Sequence, residues 1–165
     1  MLRYLEVALS HREIPGETAL CIYIAGCPNR CAECHYPELQ DAKTGEILCN
    51  NFADILDLYH SQATCVCFMG ESAAGHEEVD ELQLLTAFAK AKGFKIGLYS
   101  GRDVDIESWM RCFDYVKLGS YQKDYGPLDC PTTNQRMYQQ IKGFFVDITS
   151  VFWADSEMQT DRCDN

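Results

Sequence analysis

Short apolar runs alternate along this chain with stretches of helical periodicity, and the alternation limits the possible folds more than any other feature. Five apolar runs have the length and composition of buried strands: 18–25, 63–69, 94–99, 115–119 and 144–149. Four stretches between them carry apolar residues at helical spacing: 51–60, 77–93, 105–113 and 132–143. Strands that alternate with helices of this length are typical of βαβ units and a parallel sheet.

The predicted class is therefore α/β, and the length of the chain limits the architecture further. A chain of 165 residues suggests one domain. Its few βα units, joined by right-handed crossovers, are too few to close an eight-stranded barrel. We expect an open, partial (β/α) barrel with a mostly parallel sheet, in a single domain over residues 1–165, and a flat doubly wound sheet is the alternative. The polar residues from about 154 onward are expected to form a disordered tail.

The acidic composition and the cysteine content limit the functional classes. The formal net charge is -11 and the pI about 4.7, which argues against general binding to nucleic acid or to anionic membranes. The N-terminus has no apolar run near the length of a signal peptide or a membrane span, so we expect the protein in the cytoplasm. Ten cysteines in a cytoplasmic chain indicate buried thiols, metal binding or redox chemistry rather than a disulfide scaffold.

The segments that follow the predicted strands hold the most unusual residues of the chain. The first strand is followed by the cysteine-rich stretch GCPNRCAECHYPEL at 26–39. The next three strands are followed by MGES (69–72), SGRD (100–103) and GSYQKDYG (119–126). Because the carboxyl ends of parallel strands meet at one edge of a sheet, we expect these four segments to build one site.

The stretch after the first strand offers three thiols, at Cys27, Cys31 and Cys34, from one tight loop. Iron–sulfur clusters take cysteine thiolates, and a cubane cluster with three such ligands keeps one iron open. Zinc is an alternative, with His35 or a distant residue as the fourth ligand, although His35 directly follows Cys34 and would make a cramped chelate. Unliganded thiols are the third interpretation. Spacing alone favours the cluster and leaves all three open.

The order of the motifs resembles the radical S-adenosylmethionine (SAM) superfamily, for which a Cys-x3-Cys-x2-Cys loop after a first strand is specific. Five segments occur in order: IPGETALCIYIAGCPNRCAECHYPEL, CVCFMGE, LYSGRD, FDYVKLGSY and GPLDCPTTNQRMY. Together, over roughly residues 3–152, they resemble the activating proteins of anaerobic (class III) ribonucleoside-triphosphate reductases, and the last segment points to this family in particular. One departure is Glu33, since many superfamily members have an aromatic residue just before the third cysteine; here Tyr36 follows shortly after.

The resemblance implies a mechanism and a set of site residues. Cys27, Cys31 and Cys34 would ligate a [4Fe–4S] cluster, whose remaining iron binds the amino and carboxylate groups of SAM. Reductive cleavage of SAM then gives a 5′-deoxyadenosyl radical, which takes a hydrogen from a glycine of the reductase, and no catalytic side chain beyond the cluster and SAM is implied. The residues implied in cofactor binding are Tyr36, Met69, Gly70, Glu71, Ser100, Gly101 and Lys117.

Several of these assignments have a purely structural alternative. The alternative for Glu71 is a carboxylate on a solvated loop, and the alternative for Lys117 is a strand lysine that faces solvent. Ser100 and Gly101 are equally interpreted as a plain turn between a strand and a helix.

Two further segments carry polar or sulfur side chains without a clear ligand spacing. The segment CPTTNQR (130–136) is predicted to begin a helix with Thr133 as its cap, and a helix N-terminus can bind an anion. Cys65 and Cys67 would lie on the same face of a strand, since strand side chains alternate, and are expected to be buried thiols.

The resemblance also implies partners. The protein substrate would be the anaerobic ribonucleoside-triphosphate reductase, which makes the chain an oxidoreductase of anaerobic ribonucleotide reduction. Since the chain has no added ferredoxin-like set of cysteines, a separate flavodoxin or ferredoxin is expected to supply electrons. The alternatives are an activase of a different glycyl radical enzyme and, in another class, a zinc-stabilised binding module.

Overall fold

The computed structural model describes residues 1–32, 34 and 36–153, and within these residues eight strands form one open sheet. The strands are β1 (Arg3–Ser10), β2 (Ala19–Ile24), β3 (Glu46–Ile47), β4 (Cys65–Met69), β5 (Lys95–Tyr99), β6 (Tyr115–Leu118), β7 (Arg136–Ile141) and β8 (Phe144–Asp147). The α-helices are α1 (Leu48–Tyr59) and α2 (His76–Ala91). Short 3-10 helices occupy Pro37–Gln40, Ser108–Cys112, Lys123–Tyr125 and Thr149–Phe152. The tail expected from about residue 154 lies outside the described residues.

The sheet has a parallel centre and antiparallel flanks, in the order β3-β1-β2-β4-β5-β6-β7-β8. The neighbours β2, β4, β5 and β6 pair in parallel, which gives three parallel pairs. The other four pairs, which involve β1, β3, β7 and β8, are antiparallel. The predicted α/β class is confirmed, whereas the prediction of a mostly parallel sheet is wrong. The described sheet is open and does not close into a barrel.

The antiparallel flanks explain the errors in the predicted elements. The segment 132–143, predicted as a helix, forms strand β7 and the turn that follows it. Met137 is fully buried on one face of the sheet, and Tyr138 packs into the core on the other face. Because a strand with two buried faces can have adjacent apolar residues, its sequence pattern resembles that of a helix. At the turn, Lys142 and Gly143 have φ of +50° and +84°, the conformation that a two-residue hairpin needs.

Three more elements differ from the sequence prediction. The run 144–149 is the antiparallel partner of β7 rather than the end of a further βαβ unit. The predicted helix at 105–113 shortens to the 3-10 helix Ser108–Cys112. The strand β1 was not predicted, because its alternation of apolar and polar residues is interrupted by a register shift between Tyr4 and Val7.

The two faces of the sheet are covered differently. Both α-helices contribute to one core, in which Phe52 of α1 and Leu82 of α2 pack with alternate strand residues such as Phe68. The opposite face has a smaller core of short and sulfur-containing side chains: Ile14, Ala19, Cys21, Cys65, Cys67, Tyr115 and Met137. The α-helices therefore cover only the first face, and residues outside the helices, such as Leu128, Ile148 and Phe152, pack against the second.

In the described part of the chain, no helix has both the length and the apolar character that crossing a membrane would require. The longer helix, α2, has 16 residues and carries Glu77 and Glu78 in its first turn.

Two leucines of α2 provide a matched test of the helix-facing core. Leu82 is fully buried and Leu84 is 72% exposed on the same helix. We expect Leu82→Ala to lower the free energy of unfolding by about 2–5 kcal/mol, since the substitution removes buried surface and leaves a cavity. The control Leu84→Ala should change the free energy by less than about 0.5 kcal/mol. Urea unfolding followed by circular dichroism measures both, and equal effects would contradict this packing.

Candidate metal and cofactor site at the carboxyl edge of the parallel strands

The cysteine loop begins directly after β2 and is closed at its base by main-chain hydrogen bonds. The N–H groups of Gly26 and Cys27 both donate to the carbonyl oxygen of Leu39, at 2.7 and 2.9 Å. Gly26 has φ of +91°, and a Cβ at this position would collide with the side chain of Ser72. The loop is therefore held against the segment that follows β4, with no room for a larger residue at its start.

The loop presents three free thiols, and all three are half-buried. Burial raises the pKa of Cys27, and the nearby thiols of Cys31 and Cys34 and the Glu71 carboxyl raise it further, whereas a hydrogen bond with the backbone of Asn29 lowers it. The four acidic groups therefore lie close enough to interact, and a bound cation would relieve their mutual repulsion.

The donor chemistry at this loop fits an iron–sulfur cluster, because it consists of three cysteine sulfurs from one segment. Among the residues that the structure describes, however, no group of three or more His, Cys, Asp or Glu side chains is arranged to hold a metal ion. Binding would therefore require the three thiols to turn toward a common centre. The position before the third cysteine, Glu33, and the alternative ligand His35 lie outside the described residues.

The floor of the site is an in-register row across the four parallel strands. Tyr23 of β2 pairs with Met69 of β4, Met69 with Tyr99 of β5, and Tyr99 with Lys117 of β6. We call these four residues the edge row. They lie on the face opposite the α-helices, beside the smaller core, and they bring Met69 and Lys117 to the same edge as the cysteine loop.

Lys117 is a buried cation at one end of the edge row. It is 7% exposed, its Nζ donates to the carbonyl oxygen of Gly119 at 2.6 Å, and it lies 5.9 Å from the centre of the Tyr99 ring. Burial lowers the pKa of Lys117 to about 8, although the acidic groups of Cys31, Asp103 and Glu13 act in the opposite direction. The alternative that Lys117 faces solvent is wrong, and an anion bound beside it would favour its charged form.

Aromatic rings line the other end of the edge row. The rings of Tyr23 and Tyr36 lie 4.7 Å apart with an angle of 38° between their planes, and Tyr36 is 37% exposed. Burial, followed by a hydrogen bond with Tyr36, raises the pKa of Tyr23. The hydroxyl of Tyr99 donates to the carbonyl oxygen of Glu13 at 2.6 Å. The exposed ring of Tyr36 can therefore pack against a flat aromatic ring of a ligand.

The turn after β4 is anchored by a partly buried ion pair between Arg102 and Glu71. Glu71 is 4% exposed, and one of its oxygens accepts hydrogen bonds from Ser100 Oγ and from Arg102 Nε, both at 2.5 Å. Arg102 also donates to Glu107 at 2.6 Å, and Trp109 Nε1 donates to the same carboxylate at 2.7 Å. The hydrogen bond to Glu107 and the contact with Glu71 raise the pKa of Arg102. The alternative that Glu71 is a solvated carboxylate is therefore wrong.

Two glycines allow the loops at this edge to approach one another. Gly70 has φ of +117° and donates from its N–H to the carbonyl oxygen of Tyr99 at 3.0 Å. Gly101 accepts a hydrogen bond from Asn29 Nδ2 of the cysteine loop, and a Cβ on Gly101 would collide with that amide. The three loops that follow β2, β4 and β5 are therefore in contact with one another.

The segment 130–136 has a different role from the one that its sequence suggests. It contains no helix, so the predicted helix N-terminus for an anion is absent. Instead Asn134 Nδ2 donates to the carbonyl oxygen of Ser120 at 2.9 Å, and buried Thr133 accepts from the N–H of Gln135 at 3.2 Å. These bonds tie the segment to the loop after β6 and lead the chain into β7.

The buried thiols were predicted correctly. Cys65 and Cys67 are fully buried on one face of β4, and burial raises the pKa of both. Cys67 is paired in register with Cys21 on β2. These thiols lie beneath the edge row, inside the smaller core, and their raised pKa values make them poor nucleophiles.

A cavity of about 500 Å³ opens beside the edge row on the same face. Tyr99 and Glu13 form the wall nearest the row, and Leu128 and Phe152 provide apolar surface on the other side. Sequence reasoning missed Tyr23, Tyr99, Glu13, Asn29 and Arg102. The two tyrosines could have been found by aligning the predicted strands at their carboxyl ends. The positions of the other three residues depend on contacts between loops, for which the sequence has no local pattern.

Breaking the ion pair of Glu71 and Arg102 should destabilise the protein, because it leaves the buried charge of Glu71 behind. We expect Arg102→Ala to lower the free energy of unfolding by about 2–4 kcal/mol, since Glu71 would keep only Ser100 as a charge-stabilising donor. Arg111→Ala, at an exposed arginine, serves as the control. The double variant Glu71→Gln/Arg102→Ala should lose less than the sum of the two single losses, because no unpaired charge remains. Urea unfolding of the wild type, Arg102→Ala, Glu71→Gln and the double variant completes the cycle, and simple additivity would count against the ion pair.

Lys117 should make the stability of the metal-free protein depend on pH in a defined direction. Its pKa is about 8 in the folded state and the model-compound value is 10.5, so the unfolded chain binds more protons between these pH values. Stability due to this residue is therefore lowest below pH 8 and rises toward pH 10.5. We expect Lys117→Met to be about 2 kcal/mol more stable than the wild type at pH 7, with the difference shrinking by pH 10. Urea unfolding at the two pH values measures it, and a constant difference would contradict the buried charge.

No protein-family model matches this chain, and it also matches no curated protein and no solved structure.

Proposed function

We propose that this protein is a radical SAM activase, which cleaves SAM reductively and generates a glycyl radical on an anaerobic ribonucleoside-triphosphate reductase. The observation that carries the proposal is the position of three free thiols, Cys27, Cys31 and Cys34, in one loop beside the edge row. Soft sulfur donors, a buried cation and an aromatic surface meet at one edge of the sheet. SAM offers a matching set of groups: a metal-chelating amino acid moiety, a carboxylate and an adenine ring.

In this proposal the cysteine loop supplies the cluster ligands. Three thiolates leave one iron of a [4Fe–4S] cluster free to bind the amino acid moiety of SAM. The cluster, once bound, would supply the electron for cleavage of the sulfonium. The loop itself keeps the three sulfurs on a segment that is closed at its base by the hydrogen bonds to Leu39 and is tethered to the β5 loop through Asn29.

The edge row and the turn after β4 would orient SAM. Lys117 would pair with the carboxylate of SAM. Its hydrogen-bond acceptor among the described residues is the neutral carbonyl oxygen of Gly119, so no hydrogen-bonded anion there compensates its charge. Tyr36 provides an exposed ring for the adenine. Since the Glu71 carboxylate is engaged by Ser100 and Arg102, we assign Glu71 to holding the turn, and the amino group of SAM to main-chain carbonyls of Met69 and Gly70.

The arrangement of the helices supports a finer interpretation of the fold. The parallel strands follow one another in the order β2-β4-β5-β6, and both α-helices pack on the same face. We propose that this half of the sheet corresponds to an open part of a (β/α) barrel, whose free face receives the cofactor. The cytoplasm as its location, and flavodoxin or ferredoxin as its electron donor, are part of the same proposal.

Electron paramagnetic resonance on anaerobically reconstituted, dithionite-reduced protein tests the cluster and its cofactor together. We expect a cubane signal that changes when SAM is added. Cys31→Ser should abolish or strongly reduce the signal, whereas Cys49→Ser, at an exposed cysteine of α1, should retain it. Iron analysis of both variants separates loss of the cluster from loss of the fold. Stoichiometric zinc without iron in the wild type would instead favour a zinc-stabilised binding module.

The partner requires a separate measurement. The reconstituted wild type, SAM and a chemical reductant are mixed with the reductase, and the glycyl radical is detected by paramagnetic resonance. A radical on the reductase supports the proposal. A SAM-responsive cluster that forms the radical on another glycyl radical enzyme but never on the reductase would assign the same chemistry to a different partner.

A further inference from the structure

The loop after β5 joins the cysteine loop to the edge row through two consecutive residues. The N–H of buried Ser100 donates to the carbonyl oxygen of Lys117 at 2.8 Å. The carbonyl oxygen of the next residue, Gly101, accepts a hydrogen bond from Asn29 Nδ2. We propose that Asn29 is a positioning residue, which holds Cys31 beside Lys117 and so sets how a metal centre on the thiols lies relative to a ligand on the edge row. This assignment rests on the proposed function.

Asn29 supplies a tether between the two anchored ends of the cysteine loop. The base of the loop is held by main-chain hydrogen bonds to Leu39, and its far end by Tyr36, whose ring lies 4.7 Å from the ring of Tyr23. Cys31 follows Asn29 by two residues of the chain, which span at most about 7 Å when fully extended. Fixing Asn29 on the β5 loop therefore keeps Cys31 close to that loop.

The thiol of Cys31 lies near the ammonium of Lys117. Burial lowers the pKa of Lys117, and among the acidic groups that act in the opposite direction Cys31 has the largest effect, ahead of Asp103 and Glu13. Coulomb interactions weaken with distance, so the two groups are neighbours across the edge row. A cysteine loop released from the β5 loop would let Cys31 leave this position, although all three thiols would remain available to a metal.

The contact at Gly101 has no room for a larger residue. A Cβ on Gly101 would collide with the amide nitrogen of Asn29. Gly101 is not among the glycines with positive φ, so the close approach of Asn29, rather than the backbone conformation, requires a glycine here. Gly101→Ala should therefore displace the Asn29 amide and break the same hydrogen bond without changing any cysteine.

Alkylation of the metal-free, reduced protein tests the tether without any cofactor. We expect iodoacetamide to modify Cys31 about two- to tenfold faster in Asn29→Ala than in the wild type, the effect of one lost hydrogen bond on a local opening equilibrium. Cys49, exposed on α1, is the internal reference and should react at the same rate in both proteins. Mass spectrometry of the digested protein gives both rates, and an unchanged rate at Cys31 would overturn the proposal.

SAM titration of the reconstituted, reduced protein tests the positioning itself. Asn29→Ala should bind iron as the wild type does and give the same paramagnetic signal without SAM, because all three cysteines are intact. The SAM concentration at half of the spectral change should rise roughly 10–100-fold, the range for contacts that orient metal ligands. Asn50→Ala, at an exposed asparagine of α1, is the matched control and should leave this concentration unchanged. Loss of iron in Asn29→Ala would indicate a structural role instead and would refute the assignment.

The other side of the contact provides a second test. Gly101→Ala should shift the same SAM concentration at least as far as Asn29→Ala does. The double variant Asn29→Ala/Gly101→Ala should match Asn29→Ala, because the added methyl group then has no amide to displace. If the two shifts multiply instead, the residues act independently and the proposed tether is wrong.

The wild type separates this assignment from the proposed function. If its reconstituted cluster does not respond to SAM, the proposed function fails and the assignment fails with it. If the wild type responds and Asn29→Ala responds at the same SAM concentration, the proposed function stands and only the assignment is refuted.

Discussion

Parallel pairing of four strands in a common register is the constraint on which the rest of this structure depends. The main-chain pairing of β2 with β4, β4 with β5, and β5 with β6 aligns one residue from each strand. The edge row therefore forms although no sequence pattern links its four residues. The same register stacks Cys21 beside Cys67 one layer below. A slip of one residue in any strand would turn its member of the edge row to the opposite face, where the helices pack.

Around this row, the loops form a set of mutual contacts rather than separate segments. The cysteine loop touches the β4 segment at Gly26 and the β5 loop through Asn29, and the β4 turn is held to β5 by Glu71 and Arg102. This partly buried ion pair stabilises the turn only while both charges are present. The thiols themselves are half-buried and free, so the rigid contacts surround a group of ligands that can still move. Such an arrangement suits a site that must position a cofactor without fixing every side chain in advance.

Local patterns predicted the centre of the sheet well and its flanks poorly. The runs of β2 and β4 are continuously apolar, and those of β5 and β6 carry one lysine each, because both faces of the sheet are buried there. Such runs are hard to misinterpret. In β7, Met137 and Tyr138 are packed on opposite faces of the sheet and have polar neighbours in the sequence. Their spacing therefore resembles the apolar pattern of a helix. The predicted cap at Thr133 then reinforced the error, since its hydroxyl accepts an N–H from Gln135 in a turn as it would in a helix.

The sequence by itself determined the α/β class, the central strands and the three cysteines as a unit, because each of these depends on residues that are close in the chain. Only the tertiary structure decided which side chains from other parts of the chain contact these elements. Burial of Lys117, with its lowered pKa, and engagement of Glu71 by Arg102 depend on side chains from different strands and loops. The antiparallel flanks were decided in the same way, since a strand edge accepts a parallel or an antiparallel neighbour according to how the chain returns to it. Contacts between distant residues carry no local period, and they settle the geometry of the site.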